Sequence, residues 1–144
     1  MSERSSDISL ELPCDERAPG RVRQAVQSLP DVGWMMGDAM LVASELVTNA
    51  VLHSGCSSEE LIHVRLGVGG DRLSISVRDH GVSAGEPKPR PAPDPFGGVG
   101  LRLVEQLAFR WGSERCEQGH RVWAELPLTE QPWRRSSSEL ARAG

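Results

Sequence analysis

The chain has 144 residues, 38% of them hydrophobic and 25% charged, with a formal net charge of −4. That size and balance suit one globular domain with one core. Four Trp, two Phe and no Tyr argue against a module that stacks bases on aromatic platforms, and the scattered basic residues leave no electrostatic footprint for DNA or RNA.

The opening MSERSSDISLELP has neither the apolar core nor the small-residue cleavage pattern of a secretory signal. No stretch reads as the roughly 20 apolar residues that a membrane helix needs. Cys14, Cys56 and Cys116 are odd in number and far apart. They fit a reducing compartment better than a disulfide framework, and they lack the paired spacing of a zinc site. A cytoplasmic protein without membrane contact is expected. The only lysine, Lys88, stands among prolines, so the Gly-Lys-Ser/Thr of a Walker-type phosphate loop is missing.

Residues 1–7 are polar and read as a flexible tail. Residues 7–12 alternate, with Ile8, Leu10 and Leu12 on one face, and predict a strand that Pro13 ends. The spacing of Ala18, Val22, Ala25, Val26 and Leu29 predicts a helix over 15–29, with Pro19 tolerated in its first turn. Residues 30–33 break the chain. The strongest helical signal runs over 38–54, where Ala39, Val42, Ala43, Leu46, Ala50 and Val51 form an apolar stripe. Two strands follow, over 62–68 and 73–79, joined through Gly69-Gly70-Asp71, which is good hairpin chemistry.

Residues 81–97 read as a loop or lid. Pro87, Pro89, Pro91, Pro93 and Pro95 exclude both a packed helix and a central strand. From Gly97-Gly98-Val99-Gly100 a helical pattern resumes with Leu101, Val104, Leu107 and Ala108. Strands over 109–116 and 120–126 come next, and residues 129–144 read as a flexible tail. Short turns between consecutive strands imply antiparallel pairing, and three helices are most simply placed on one face. The expected fold is α+β, a two-layer sandwich with a mixed or antiparallel sheet.

Three features could carry chemistry. Glu45, Asn49 and His53 recur at i, i+4 and i+8, a polar stripe beside an apolar one. It suits the rim of a pocket, where an amide oxygen can ligate Mg²⁺ and a carboxylate can take a hydroxyl proton, and equally a helix edge facing water. Asp79 closes a strand just before His80-Gly81. A carboxylate there can accept from an exocyclic amine beside a glycine that admits a flat ring, or it can simply form a turn. The Gly-x-Gly before the third helix offers backbone N–H groups to phosphate, or a hinge after the prolines.

Taken in order, these features resemble the GHKL ATPase superfamily. The first motif is ASELVTNAVLHS, the second VRDHG, the third GGVGLRLVEQLAFRWG and the closing strand GHRVWAELP. The resemblance is nearest to bacterial anti-sigma factor serine/threonine kinases, notably the small ATP-binding proteins abundant in actinobacteria. It covers residues 8–128, the expected ATPase domain with a lid over 81–97. It implies the ATP-binding fold of histidine kinases, with ATP and Mg²⁺ as cofactors. It implies Asn49 as the Mg²⁺ ligand, Glu45 as the general base acting on a partner's serine, and Asp79 on the adenine amine with Gly81 beside the ring. Gly98 and Gly100 would cradle phosphate, with Leu101 and His53 in the same nucleotide-binding set. The partners it implies are a sigma factor, a STAS-type anti-anti-sigma protein and a second copy of the chain, with no direct nucleic acid contact. One departure stands out: the family often has arginine in the hinge run where this chain has Val99.

Overall fold

The computed structural model describes residues 6–30, 32–53, 57, 59–79, 97–116 and 119–128, with residues 53, 97–101 and 116 described by their backbone alone. Five strands and three α-helices make up the described chain: β1 (Ser6–Pro13), α1 (Ala18–Gln27), α2 (Met36–His53), β2 (Leu61–Gly69), β3 (Arg72–Asp79), α3 (Gly97–Leu107), β4 (Arg110–Cys116) and β5 (Gly119–Pro127). A short 3₁₀ turn, Gly33–Met35, leads into α2. Of the expected lid over 81–97, residues 81–96 lie outside the described residues and Gly97 is instead the first residue of α3. The expected N-terminal tail over 1–7 is cut short, since Ser6 and Asp7 belong to β1, and residues 1–5 and 129–144 lie outside the described residues.

The sheet order is β1-β2-β3-β5-β4, and every neighbouring pair is antiparallel. Alternation decides which face is covered. Ile62, Val64, Leu66 and Val68 on β2, Leu73, Ile75 and Val77 on β3, and Val122, Ala124 and Leu126 on β5 are all buried. Intervening residues such as Arg65, Ser76 and Trp123 face the other way and are exposed or half-buried. The helices supply the other half of the core. Val22 and Val26 come from α1, and Ala39, Val42, Ala43, Leu46, Val47 and Ala50 from α2. The fold is thus the α+β two-layer sandwich, with a purely antiparallel sheet.

The ends of the layers are tied by specific bonds. At the tight turn between β2 and β3, Gly70 has φ 59°, a conformation that costs an L side chain about 1 kcal/mol or more. The Trp34 indole N–H donates to the Leu128 carbonyl at 3.0 Å, and the Leu128 N–H donates to Asp71 O at 2.7 Å. Ahead of α1, the Arg17 side chain bonds Asp15 at 2.7 Å and holds its carboxyl below the usual carboxylate range.

Two expectations are corrected. Cys14 is buried and disulfide-bonded. Its partner is a cysteine whose side chain lies outside the described ones. Sequence separation says nothing about whether two Cα atoms come within the roughly 4.4–6.8 Å that a disulfide spans, which is why spacing misled. Non-reducing intact mass should fall short of the reduced mass by two hydrogens, with one free thiol left to alkylate. Equal masses would show three thiols. The span Gly33–Leu52 is long and apolar enough by length and composition to cross a membrane. Its apolar face is the core face of α2, spent on the sheet and α1.

Gly112 has a packing reason. A Cβ there would lie 2.9 Å from Trp123 Cζ2, and Arg110 and Arg121 flank that ring at 5.7 and 5.9 Å from its centroid. Gly112→Ala should therefore cost about 1–3 kcal/mol in urea unfolding, since the ring has to move. A Cβ at Gly67 would meet the end of the Asp7 side chain at 2.7 Å. That flexible carboxylate can swing aside, so Gly67→Ala should cost clearly less. Equal costs would contradict this account of Trp123.

Candidate functional site

Three elements bring the candidate residues to one end of the molecule. β3 runs toward Asp79, continuing the inward-facing set Leu73, Ile75, Val77. Asp79 therefore points into the layer between sheet and helices and is only 5% exposed. A carboxylate in an otherwise apolar row is tolerated only where donors meet it.

α2 spans the sheet from end to end. Its start is anchored at the far end, because Trp34 just ahead of it bonds Leu128, beyond the β5 terminus that pairs with the first residue of β3. Eighteen residues rise about 27 Å, roughly the length of an eight-residue strand such as β3. The helix thus ends near the Asp79 end of the sheet. Residues 54–60 then lead into β2, whose register His63↔Arg78 sets its start beside the end of β3. Asn49 lies in this last part of α2, half-buried, and Glu45 lies one turn earlier, also half-buried. Their neighbours Leu46, Val47 and Ala50 are buried, so the polar stripe follows the border of the core. The backbone of His53 completes the helix; its side chain is not among those described.

α3 runs the other way. Its last residue, Leu107, is followed by Ala108 and Phe109, and the Phe109 N–H donates to Glu125 O at 3.0 Å, at the far end of the sheet. Eleven residues of helix rise about 16 Å, which carries the helix start back toward the Asp79 end. Gly97 is the first helical residue, so Gly98, Gly100 and Leu101 belong to the first turns, where free N–H groups and the positive end of the dipole face outward. α2 and α3 pack against each other along the sheet.

One end of the helix-covered side thus gathers a buried carboxylate, a half-buried amide one turn from a half-buried carboxylate, and a glycine-rich helix start. Gly81 lies outside the described residues and is not placed. Among the described residues no cluster of three or more His, Cys, Asp or Glu could hold a metal ion. A metal here would be bound through Asn49 with phosphate and water oxygens, which suits Mg²⁺, a hard ion that keeps several waters.

His120 is a neighbour that sequence reasoning missed. It is the second residue of β5, stands opposite Asp79 (register Asp79↔His120) and is half-buried. The signal was present in the period of two: Val122, Ala124 and Leu126 face inward, so His120 shares their face.

A family model for the histidine kinase-like ATPase domain matches residues 14–126. No curated protein matches the chain. Among solved structures, that of the RsbU and RsbW domains of Rv1364c from Mycobacterium tuberculosis aligns with a TM-score of 0.60 at 19% identity, covering 84% of this chain and 31% of that one. The histidine kinase domain of the blue-light activated histidine kinase EL346 from Erythrobacter litoralis aligns at 0.52 and 21% identity, covering 81% and 62%. The chain therefore spans under a third of the first and less than two thirds of the second. At such identities the likeness speaks for the fold, which agrees with the antiparallel two-layer architecture. With the family model matched over most of its length, the chain belongs to the histidine kinase-like ATPase domain family.

Proposed function

We propose that this domain, residues 8–128, binds Mg·ATP at the Asp79 end of the sheet and acts in the cytoplasm as an anti-sigma factor with serine/threonine kinase activity on an anti-anti-sigma partner of STAS type. The observation that carries this reading is the convergence of Asp79, the Asn49 end of α2 and the glycine-rich start of α3 on one end of one layer. Asp79 accepts from the adenine amine, with Gly81 beside the ring, while Asn49 holds Mg²⁺. Gly98, Gly100 and Leu101 line the phosphate side, and His53 lies on the α2 turn next to Asn49. When bound, Mg·ATP supplies the phosphoryl group and the charge neutralisation on which its transfer depends. Glu45 then takes the proton of the partner's serine hydroxyl. The ASELVTNAVLHS, VRDHG and GGVGLRL motifs and the likeness to a structure containing an RsbW domain support the anti-sigma assignment. A second copy of the chain and a sigma factor complete the proposed assembly.

The test separates binding from transfer. Glu45→Ala should keep the ATP affinity within about twofold and lower phosphotransfer to the partner by about 100-fold or more, the scale of a lost general base. Equal phosphotransfer by both proteins would remove Glu45 from that role. A second reading rests on Val99, which stands where the family often has arginine: an ATP-regulated binding module without turnover. Val99→Arg should raise turnover if the missing cation limits transfer. Unchanged, absent turnover in both proteins favours the module.

A further inference from the structure

The sheet face away from the helices carries an organised strip of arginines that the nucleotide site does not use. Register places one row straight across the five strands: Glu11, His63, Arg78, Arg121, Glu114. The outer members pair inward, His63 Nδ1 lying 3.8 Å from Glu11 Oε1 and Arg121 Nη1 2.8 Å from Glu114 Oε1. The adjoining row is Ser9, Arg65, Ser76, Trp123, Gly112, in which Arg65 is exposed. Three adjacent central strands thus present Arg65, Arg78 and Arg121 side by side. Arg121 is held in place by donation from Nε to Ser76 Oγ at 2.8 Å and by the Trp123 ring. The acidic groups Asp7, Glu11 and Glu114 stand on the edge strands β1 and β4. The one carboxylate that the central strands carry on this face, Glu125, lies 3.6 Å from Arg72 and 3.5 Å from Arg110. In a chain of net charge −4, the middle of this face, which no described element covers, thus carries more arginine than carboxylate.

We propose that this strip docks an acidic helix of a protein partner, laid across the strands with a row of carboxylates on the guanidinium groups. The spacing fits. Neighbouring strands lie about 4.8 Å apart, and helix residues three and four apart place their Cβ atoms about 5–6 Å apart, so successive carboxylates on one helix face meet successive strands. A second copy of the chain fits poorly. A two-fold axis through the middle of the face would set Arg65, Arg78 and Arg121 against themselves, and like charges repel across an interface. A nucleic acid strand fits poorly as well, because its phosphates would extend past the strip onto the acidic edges.

The experiment uses the full chain and a labelled synthetic peptide of about 18 residues with glutamates along one helix face. Its control is the same peptide with glutamine in their place. Fluorescence anisotropy should show binding of the glutamate peptide that weakens with added salt, and none of the control. Arg65→Ala, an exposed change that leaves the core untouched, should weaken it about 3- to 10-fold, and Arg65→Glu should abolish it, with the melting temperature and the ATP response both kept. No binding by the wild-type chain overturns the proposal. So does binding that ignores Arg65, tighter binding of a single-stranded oligonucleotide of equal charge, or self-association that Arg65→Glu dissolves.

Discussion

Asp79→Asn should remove most of the stabilisation that ATP gives this domain. A ligand present at about 100 times its Kd stabilises the folded state by about 2.7 kcal/mol. The carboxylate of Asp79 is buried at the end of an apolar row, where a hydrogen bond to a charged group contributes about 1.5–3 kcal/mol. Losing it weakens ATP about 10- to 100-fold. At the upper end, the ATP-dependent stabilisation falls from about 2.7 to about 0.4 kcal/mol at the same nucleotide concentration. Asparagine is close to isosteric, so the melting temperature without nucleotide should move far less than the ATP-induced shift. Thermal denaturation with and without Mg·ATP reads both. An ATP-induced shift as large in the variant as in the wild type would take adenine recognition away from Asp79.

Leu46→Ala should give the largest loss of intrinsic stability at a position outside the proposed contacts. Leu46 is 1% exposed and lies on the core face of α2, the helix that packs on α1, α3, β3 and β5. Truncating a buried leucine removes its transfer free energy and leaves a cavity, together about 2–5 kcal/mol. Against the roughly 5–15 kcal/mol that holds a domain folded, this is a large fraction. For a domain of this size it lowers the melting temperature by roughly 10 °C or more. Below the transition, α2 still presents Asn49 and Glu45, so ATP should still bind, with affinity reduced by less than in Asp79→Asn. Urea unfolding gives the first quantity and calorimetric titration at low temperature the second. A cost under about 1 kcal/mol would mean that α2 does not carry the core as described.

The elements were legible because their periods are local. Ile8, Leu10 and Leu12 announce β1 by alternation, and the run from Ala39 to Val51 announces α2 by its 3.6-residue repeat. The hairpin turn was legible at Gly70, whose positive φ explains why glycine stands there. What the sequence hides is set by contacts between distant segments. Nothing local shows that β5 inserts between β3 and β4, because the turn joining β4 to β5 is equally compatible with β4 lying next to β3. The same non-locality hid the disulfide at Cys14 and the seating of Trp123 over Gly112. Asp79, Asn49 and Glu45 stand out in the sequence as candidates because their polarity interrupts apolar patterns. His120 was passed over because its strand was read as starting there, and the cross-strand partner that gives it meaning belongs to β3. Gly81 and the proline-rich stretch lie outside the described residues.

The central claim is that nucleotide binds between α2 and α3 at the Asp79 end of the sheet. An amide chemical-shift titration of the isotopically labelled chain with a non-hydrolysable Mg·ATP analogue tests it most directly. Saturable shifts should concentrate at Asn49, Asp79, Gly98, Gly100 and His120, with the strip around Arg65 and Ser76 on the other face of the sheet unmoved. Saturable shifts centred on any other surface, or none at millimolar analogue, would contradict it.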